Sequence, residues 1–139
     1  MKGINLGRLI AAGVVAGVVM AAIDWLIYGR LMEQEVVDMI RRLNLNQFVV
    51  LESTTPWLVV DLIFGLLLAF TYVSIRPRFG PGPATAATAG VLLWLGVTAV
   101  LGGYMSMGVF TTQAYIKGSA LFLGSSILAS LAGGAVYRE

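Results

Sequence analysis

Cysteine and histidine are both missing from the 139 residues. Their absence excludes disulfides, thiolate and imidazole metal sites, bis-imidazole haem ligation and a cysteine nucleophile. It also removes the commonest general acid–base of enzymes. No catalytic, cofactor-binding or metal-ligating residue is expected, and the chain reads as a non-enzyme. Charge is scarce too: Asp, Glu, Lys and Arg make up 12% of the residues, where a soluble domain carries about 25%. Nine Lys and Arg stand against seven Asp and Glu. No basic stretch interleaved with aromatics marks a nucleic-acid surface, so no nucleic-acid partner is expected. Gly80-Pro81-Gly82-Pro83 lacks the Lys-[Ser/Thr] context of a phosphate loop.

Apolar residues fill the space that charge leaves. They amount to 58% of the chain, and the mean hydropathy is +0.88. A chain so short of polar groups cannot cover itself in water, but it can in lipid. Four runs carry the excess: Leu9 to Tyr28, broken only by Asp24; Pro56 to Ile75, broken only by Asp61; Ala84 to Phe110; and Gly118 to Tyr137. Each has about 20 residues or more, and at ~1.5 Å per residue that crosses the ~30 Å hydrocarbon core. The runs are continuous rather than alternating, which points to helices rather than a barrel. The expected fold is all-α: one membrane domain, a bundle of four transmembrane helices at about 6–29, 56–75, 84–108 and 114–137. Lys2 and Arg8 before the first run, and Val19-Met20-Ala21 within it, resemble a secretory signal with a cleavage site. The apolar run continues through Trp25-Leu26-Ile27-Tyr28, so it is read as a retained span.

The links differ in kind. Three of the four prolines fall in Arg76-Pro77-Arg78-Phe79-Gly80-Pro81-Gly82-Pro83, read as a short stiff turn. Pro56 follows Ser53-Thr54-Thr55, a hydroxyl cap with proline at the first helical position. Between spans one and two, Met32, Val36, Met39, Ile40 and Leu43 share one helical face, and Glu33, Gln34, Glu35, Asp38, Arg41 and Arg42 occupy the rest. This predicts a short amphipathic helix at about 32–43, lying in the membrane interface or packing on another subunit, with Asp38 in reach of Arg41 or Arg42. Phe48-Val49-Val50-Leu51 is too short to span and is expected to dip into the interface.

Four spans put both termini on one side. Lys2, Arg8, Arg76, Arg78 and Arg138 share that side; Arg30, Arg41, Arg42 and Lys117 share the other. The count favours cytoplasmic termini in a bacterial inner membrane. Trp25, Tyr28, Trp57, Tyr104 and Tyr115 fall near the outer helix ends, and Tyr72, Phe79 and Tyr137 near the inner ends, where amphipathic rings favour headgroups. Trp94 lies well inside the third span, as a packing or lipid-facing residue.

Two sets of residues are candidates for more than lipid solvation. Gly13, Gly17 and Ala21 line one face of span one; Ser126, Ser130 and Gly134 do so in span four; Gly90, Gly96, Gly102 and Gly103 punctuate span three. Small residues at this spacing let helices approach closely, either within the chain or between subunits. Asp24, Asp61 and Lys117 are the ionisable residues within or at the edge of the spans. Helix rise places all three within roughly 10 Å of the outer boundary, as one candidate intramembrane polar cluster. A charge near the bilayer centre costs on the order of 3 kcal/mol, so pairing is expected. Either Lys117 bridges the aspartates, or Lys117 snorkels outward and the aspartates bond to Tyr or Ser, or the aspartates line a polar vestibule and bind a cation or relay protons.

Ile75 through Ala86, followed by Ala89-Gly90 and Trp94-Leu95, resembles a segment of uncharacterised small bacterial four-span membrane proteins. That resemblance implies a membrane bundle and no activity. Small multidrug transporters are of similar size, but the carboxylate expected deep in the first helix is missing, that region being Gly13 to Val19. The polar, Asn- and Phe-rich pore pattern of fluoride channels is not visible either. The leading expectation is a bundle that self-associates or serves as an accessory, structural subunit of a membrane complex. Its expected partners are the lipid bilayer and a second copy or other membrane subunits. The alternative is a small ion or proton channel or transporter using Asp61 and Asp24. Aspartates paired to Lys117 in a dry bundle favour the first; aspartates facing a solvated cavity favour the second.

Overall fold

The computed structural model describes residues 4–46 and 54–137. The 48–51 segment, Lys2, Ser53 and Arg138 lie outside the described residues. Those described are helical or connecting, with no strand among them. The helices are α1 (Leu6–Leu26), continued by a π-helical turn (Ile27–Leu31), then α2 (Glu33–Arg42), α3 (Thr55–Phe79), α4 (Pro83–Ser106) and α5 (Thr112–Val136). α1 with its π turn, α3, α4 and α5 are each long and apolar enough to cross a membrane. The protein is a multi-pass membrane bundle with a short amphipathic helix between its first two spans.

Local chemistry fixes the ends. Asn5 caps α1, its Oδ1 accepting the Arg8 N–H at 3.0 Å, and Thr111 Oγ1 accepts the Ala114 N–H at 3.1 Å to start α5. The Met32 N–H reaches back five residues to the Ile27 carbonyl at 2.7 Å, closing the π turn. α2 begins at once, with Glu33 and Glu35 in its first turn and Arg41 and Arg42 in its last, both matched to the helix dipole. It stops where Asn44 turns left-handed at φ 52°.

α3 does not end at Ile75. It runs through Pro77 to Phe79, and the connection shrinks to Gly80-Pro81-Gly82. A proline in a last turn forfeits one amide donor, and the helix closes regardless, with the Gly80 N–H on the Arg76 carbonyl at 2.9 Å. Gly80 at φ 81° and Gly82 at φ 139° make the turn, and Thr85 Oγ1 pins it by donating to the Gly80 carbonyl at 2.7 Å.

The spans alternate in direction and form a ring: α1 beside α3, α3 beside α4, α4 beside α5, and α5 beside α1. Contacts are closest where side chains vanish. A Cβ on Gly65 of α3 would collide with the Gly17 nitrogen and the Gly13 carbonyl of α1. A Cβ on Gly90 would lie 2.8 Å from Ile127 Cα, and one on Gly133 2.8 Å from the Ala12 carbonyl. Ala12, Ala16 and Met20 of α1 and Ala129 of α5 are fully enclosed, and Phe64 and Phe122 close the core with ring centroids 6.4 Å apart. Trp94 is a packing residue, its indole N–H donating to the Ser119 carbonyl at 2.8 Å.

Trp25, Trp57, Tyr104 and Phe79 are exposed, as an aromatic belt requires. Tyr72 and Tyr137 are not. They are enclosed at the end of the bundle where α1 begins, edge to face with centroids 6.4 Å apart. Each phenol oxygen accepts a backbone N–H there, from Gly82 and Asn5 respectively, and this replaces the headgroup contact expected of them.

Candidate intramembrane carboxylate site

The three ionisable residues do not share one level. Lys117 Nζ donates to Glu35 Oε1 at 2.6 Å, a partner supplied by α2. Among the described residues this is the lysine's ion pair, and neither aspartate has one. Asp24 instead accepts a hydrogen bond from the Ser125 hydroxyl at 2.6 Å. Ser125 is eight residues beyond Lys117 in α5, about 12 Å further into the bundle at helix rise. The Asp24 carboxylate therefore lies deeper than counting from the end of α1 suggested. The π turn carries the helix on beyond Asp24 to Leu31.

Asp61 projects from α3 beside this point. Its side chain is buried, with 7% of the residue exposed. Its backbone carbonyl presses on α1, 2.9 Å from where a Gly17 Cβ would stand. Asp24 is near enough for its charge to act on Asp61, and Tyr28, one turn beyond Asp24, feels both. Among the described residues no side chain donates a hydrogen bond to Asp61. Two carboxylates thus face a low-dielectric interior with one hydroxyl donor and no cation.

Such a set is all oxygen. It suits a proton or a hard cation held by few ligands, since no group of three acidic side chains gathers among the described residues to build a divalent site. Two nearby negative charges in hydrocarbon surroundings are costly, and a proton or cation between them removes the repulsion and much of the desolvation cost.

The end of the bundle beyond Lys117 is closed by α2. Met32 and Ile40 are buried, and the Met32 thioether lies 3.3 Å from where a Gly118 Cβ would be. Arg42 donates to the carbonyls of Gly108 and Val109, at 3.5 and 3.2 Å, in the α4–α5 link. Arg42 thus bonds the link rather than Asp38. The amphipathic helix packs on its own chain through Met32 and Ile40, while Val36 and Met39 of the same face are half-buried and Leu43 is exposed. Glu35 sits outside the spans, and its hydrogen bond from Lys117 holds its carboxyl below the usual 4.5.

The small-residue faces are also spent within the chain. Gly13 and Gly17 receive Leu66 and Leu62 of α3, and Ala21 on the same face is half-buried. Ser126 is fully buried and bonds its own Leu123 carbonyl at 3.1 Å. Ser130 donates across to the Ala86 carbonyl of α4 at 2.6 Å. A Cβ on Gly134 would lie 3.0 Å from that of Ala86. Gly96 and Gly103 are different: nothing lies within 4 Å of a Cβ placed on either.

The sequence pattern places Glu35 only on the polar face of α2 and does not mark Gly65. The i, i+2 spacing of Glu33 and Glu35 in a helix that must fold back over the bundle was the available signal for Glu35. For Gly65 it was a lone glycine in the middle of an otherwise bulky span.

Compared with protein-family models, with curated proteins and with solved structures, the chain finds no match.

Proposed function

We propose that this protein binds a proton or a monovalent cation at the Asp24–Asp61 pair and passes it across the bilayer, as a small channel or transporter and not as an enzyme. One observation carries the reading. The lysine that could neutralise the pair is committed to Glu35 at 2.6 Å, which leaves a buried carboxylate, Asp61, and a half-buried one, Asp24, on different helices without a counter-charge among the described residues. A carboxylate at the centre of a span costs about 3 kcal/mol on insertion scales, and one about two turns in from the end, as here, still costs part of that. The small-residue faces that motivated self-association are largely consumed inside the chain, which weakens the competing reading.

The test is flux of protons, sodium and potassium into liposomes. Asp61→Asn is expected to reduce the wild-type flux at least tenfold while leaving the helical content unchanged. Wild-type flux equal to that of empty liposomes, for all three ions, refutes the proposal.

The second reading, a self-associating or accessory subunit, rests on α4. Leu92, Leu95 and Val100 are exposed on it, and Gly96 and Gly103 are open to a neighbouring helix. Native mass spectrometry of gently solubilised protein tests this, and a strict monomer without a partner removes it. For location we propose a bacterial inner membrane with both termini cytoplasmic, supported by the five basic residues on the terminal side against four on the other. The Pro-Gly-rich link and its flanks support kinship with small bacterial four-span proteins.

A further inference from the structure

We propose that α2 is a hinged lid on the mouth of the seam between α1 and α5, and that its lifting opens the way to Asp24 and Asp61. The consequence for an ion rests on the proposed function; the lid itself stands on contacts independent of it. Asp24 of α1 and Ser125 of α5 meet across that seam, the hydroxyl donating at 2.6 Å. Met32 and Gly118 stand in the same seam, nearer the Lys117 end of the bundle. Gly118 is seven residues before Ser125 on α5, about 10 Å at helix rise. Met32 is 5% exposed, and its thioether lies 3.3 Å from where a Gly118 Cβ would be. Met32 thus plugs the seam above the carboxylates.

The contacts that hold α2 down run through long side chains. Lys117 Nζ donates to Glu35 Oε1 at 2.6 Å, and Arg42 donates to the Gly108 and Val109 carbonyls at 3.5 and 3.2 Å. They lay α2 across the start of α5, from the end of α1 to the α4–α5 link. The lysine of the latch is 41% exposed, and ion pairs so open to water hold weakly. The spans, by contrast, meet backbone to backbone at Gly13, Gly17 and Gly65. α2 is therefore an element that can leave while the bundle stays assembled.

A joint and a resting place complete the device. α2 meets the first span at Met32, whose backbone, at φ −117° and ψ 16°, has left the helical region. The π turn before it carries Gly29, and nothing lies within 4 Å of a Cβ placed there. No side chain at Gly29 stands in the way of a swing, and short stretches at element ends are where hinges absorb such a change. Once lifted, α2 has somewhere to go. Glu33, Gln34, Asp38 and Arg41 already face outward, and the apolar face of an amphipathic helix settles among headgroups. Burial lost by Met32 and Ile40 on the bundle is partly recovered there.

Accessibility tests the lid without any appeal to flux. The chain has no cysteine, so Ser119→Cys places a single thiol behind the lid, at a residue 9% exposed whose hydroxyl has no partner among the described residues. In nanodiscs a water-soluble methanethiosulfonate is expected to label it slowly. Adding Lys117→Gln is expected to quicken labelling about two- to fivefold, the range that loss of a partly exposed ion pair allows. Ser130→Cys, a thiol at the other end of α5, controls for general loosening and is expected to gain nothing from Lys117→Gln. Flux then tests the way in. In Glu35→Cys/Lys117→Cys, a short reducible bis-thiosulfonate cross-link is expected to cut ion flux into liposomes by roughly tenfold or more. Reduction restores it, and the wild type is indifferent to both reagents. Equal labelling of Ser119→Cys with and without Lys117→Gln, an equal gain at Ser130→Cys, or a cross-linked protein that conducts like its reduced form each overturns the lid. Latch-dependent labelling in a protein that carries no ion overturns the transport reading and leaves the lid standing.

Discussion

Replacing Gly65 with alanine is the sharpest probe of how the bundle holds together. The added methyl would lie 2.5 Å from Gly17 Cα and closer still to the Gly17 nitrogen and the Gly13 carbonyl. All three are backbone atoms, so no rotamer change relieves the clash. Carbon atoms settle about 3.5–4.0 Å apart, so α1 and α3 must separate by about 1 Å or more. A gap of ~0.5–1 Å forfeits a quarter to a half of each dispersive contact along the seam, and overpacking of this kind costs about 1–3 kcal/mol. Against it stands the helix propensity gained on replacing glycine with alanine, about 1 kcal/mol. The net loss is up to about 2 kcal/mol by these magnitudes. Gly96→Ala is the control, because nothing lies within 4 Å of its new methyl and only the propensity gain remains. Equilibrium unfolding in mixed micelles, followed by tryptophan fluorescence, measures both. Gly65→Ala as stable as the wild type, or Gly96→Ala as damaging as Gly65→Ala, refutes the backbone-contact account.

Ser130→Ala removes the 2.6 Å hydrogen bond to the Ala86 carbonyl in a fully buried seam. Its expected cost is about 1 kcal/mol in the same unfolding assay, the usual worth of an interhelical hydroxyl bond in membranes, and no loss at all would show the bond to be idle. The Glu35–Lys117 pair sets an acid limit on α2. Glu35 is held below its ordinary 4.5 in the folded chain, so its contribution is complete above 4.5 and is lost as the pH falls through the lower folded value. Amides of residues 33–42, corrected for intrinsic exchange, are expected to lose protection below that point in the wild type. In Lys117→Gln they should be less protected at neutral pH and insensitive to acid. Identical acid profiles in the two proteins would refute the pairing.

The spans were legible because hydropathy is a bulk property: four apolar runs of the right length, two of them uncharged and two broken by a single aspartate, fit a bilayer. α2 was legible because its polar and apolar residues alternate at helical period. Partners were another matter. In water a helix shows its buried side by amphipathicity, but a lipid-exposed face is as apolar as a buried one, so that signal disappears from all four spans. What survives is the position of small and polar side chains. Gly13 and Gly17 therefore stood out as a pair, whereas Gly65, which meets both, stood alone in its helix and carried no period. Tyr72 and Tyr137 misled for a related reason. A tyrosine near a span end meets its polar need equally well at a headgroup or at a free backbone N–H, and only the fold shows that Gly82 and Asn5 supply the latter. The run of α3 through Pro77 was hidden because proline is a reliable breaker only where a helix has turns still to form.

The polar cluster shows most clearly what register adds to composition. Counting residues from each helix end placed Asp24, Asp61 and Lys117 together, and opposite charges at one depth would pair. In the structure α2 presents a competing carboxylate, Glu35, at the surface. An ammonium paired with Glu35 keeps contact with water, its side chain being 41% exposed, whereas the same group drawn two turns inward to Asp24 would be stripped of hydration. The surface pair forms at lower desolvation cost, and the deep carboxylates are left to each other and to Ser125. Among the described residues no cation neutralises them, and the proposed function assigns that role to a proton or small cation. That assignment, more than the mere presence of acidic residues in a span, is why ion flux is the decisive measurement for this protein.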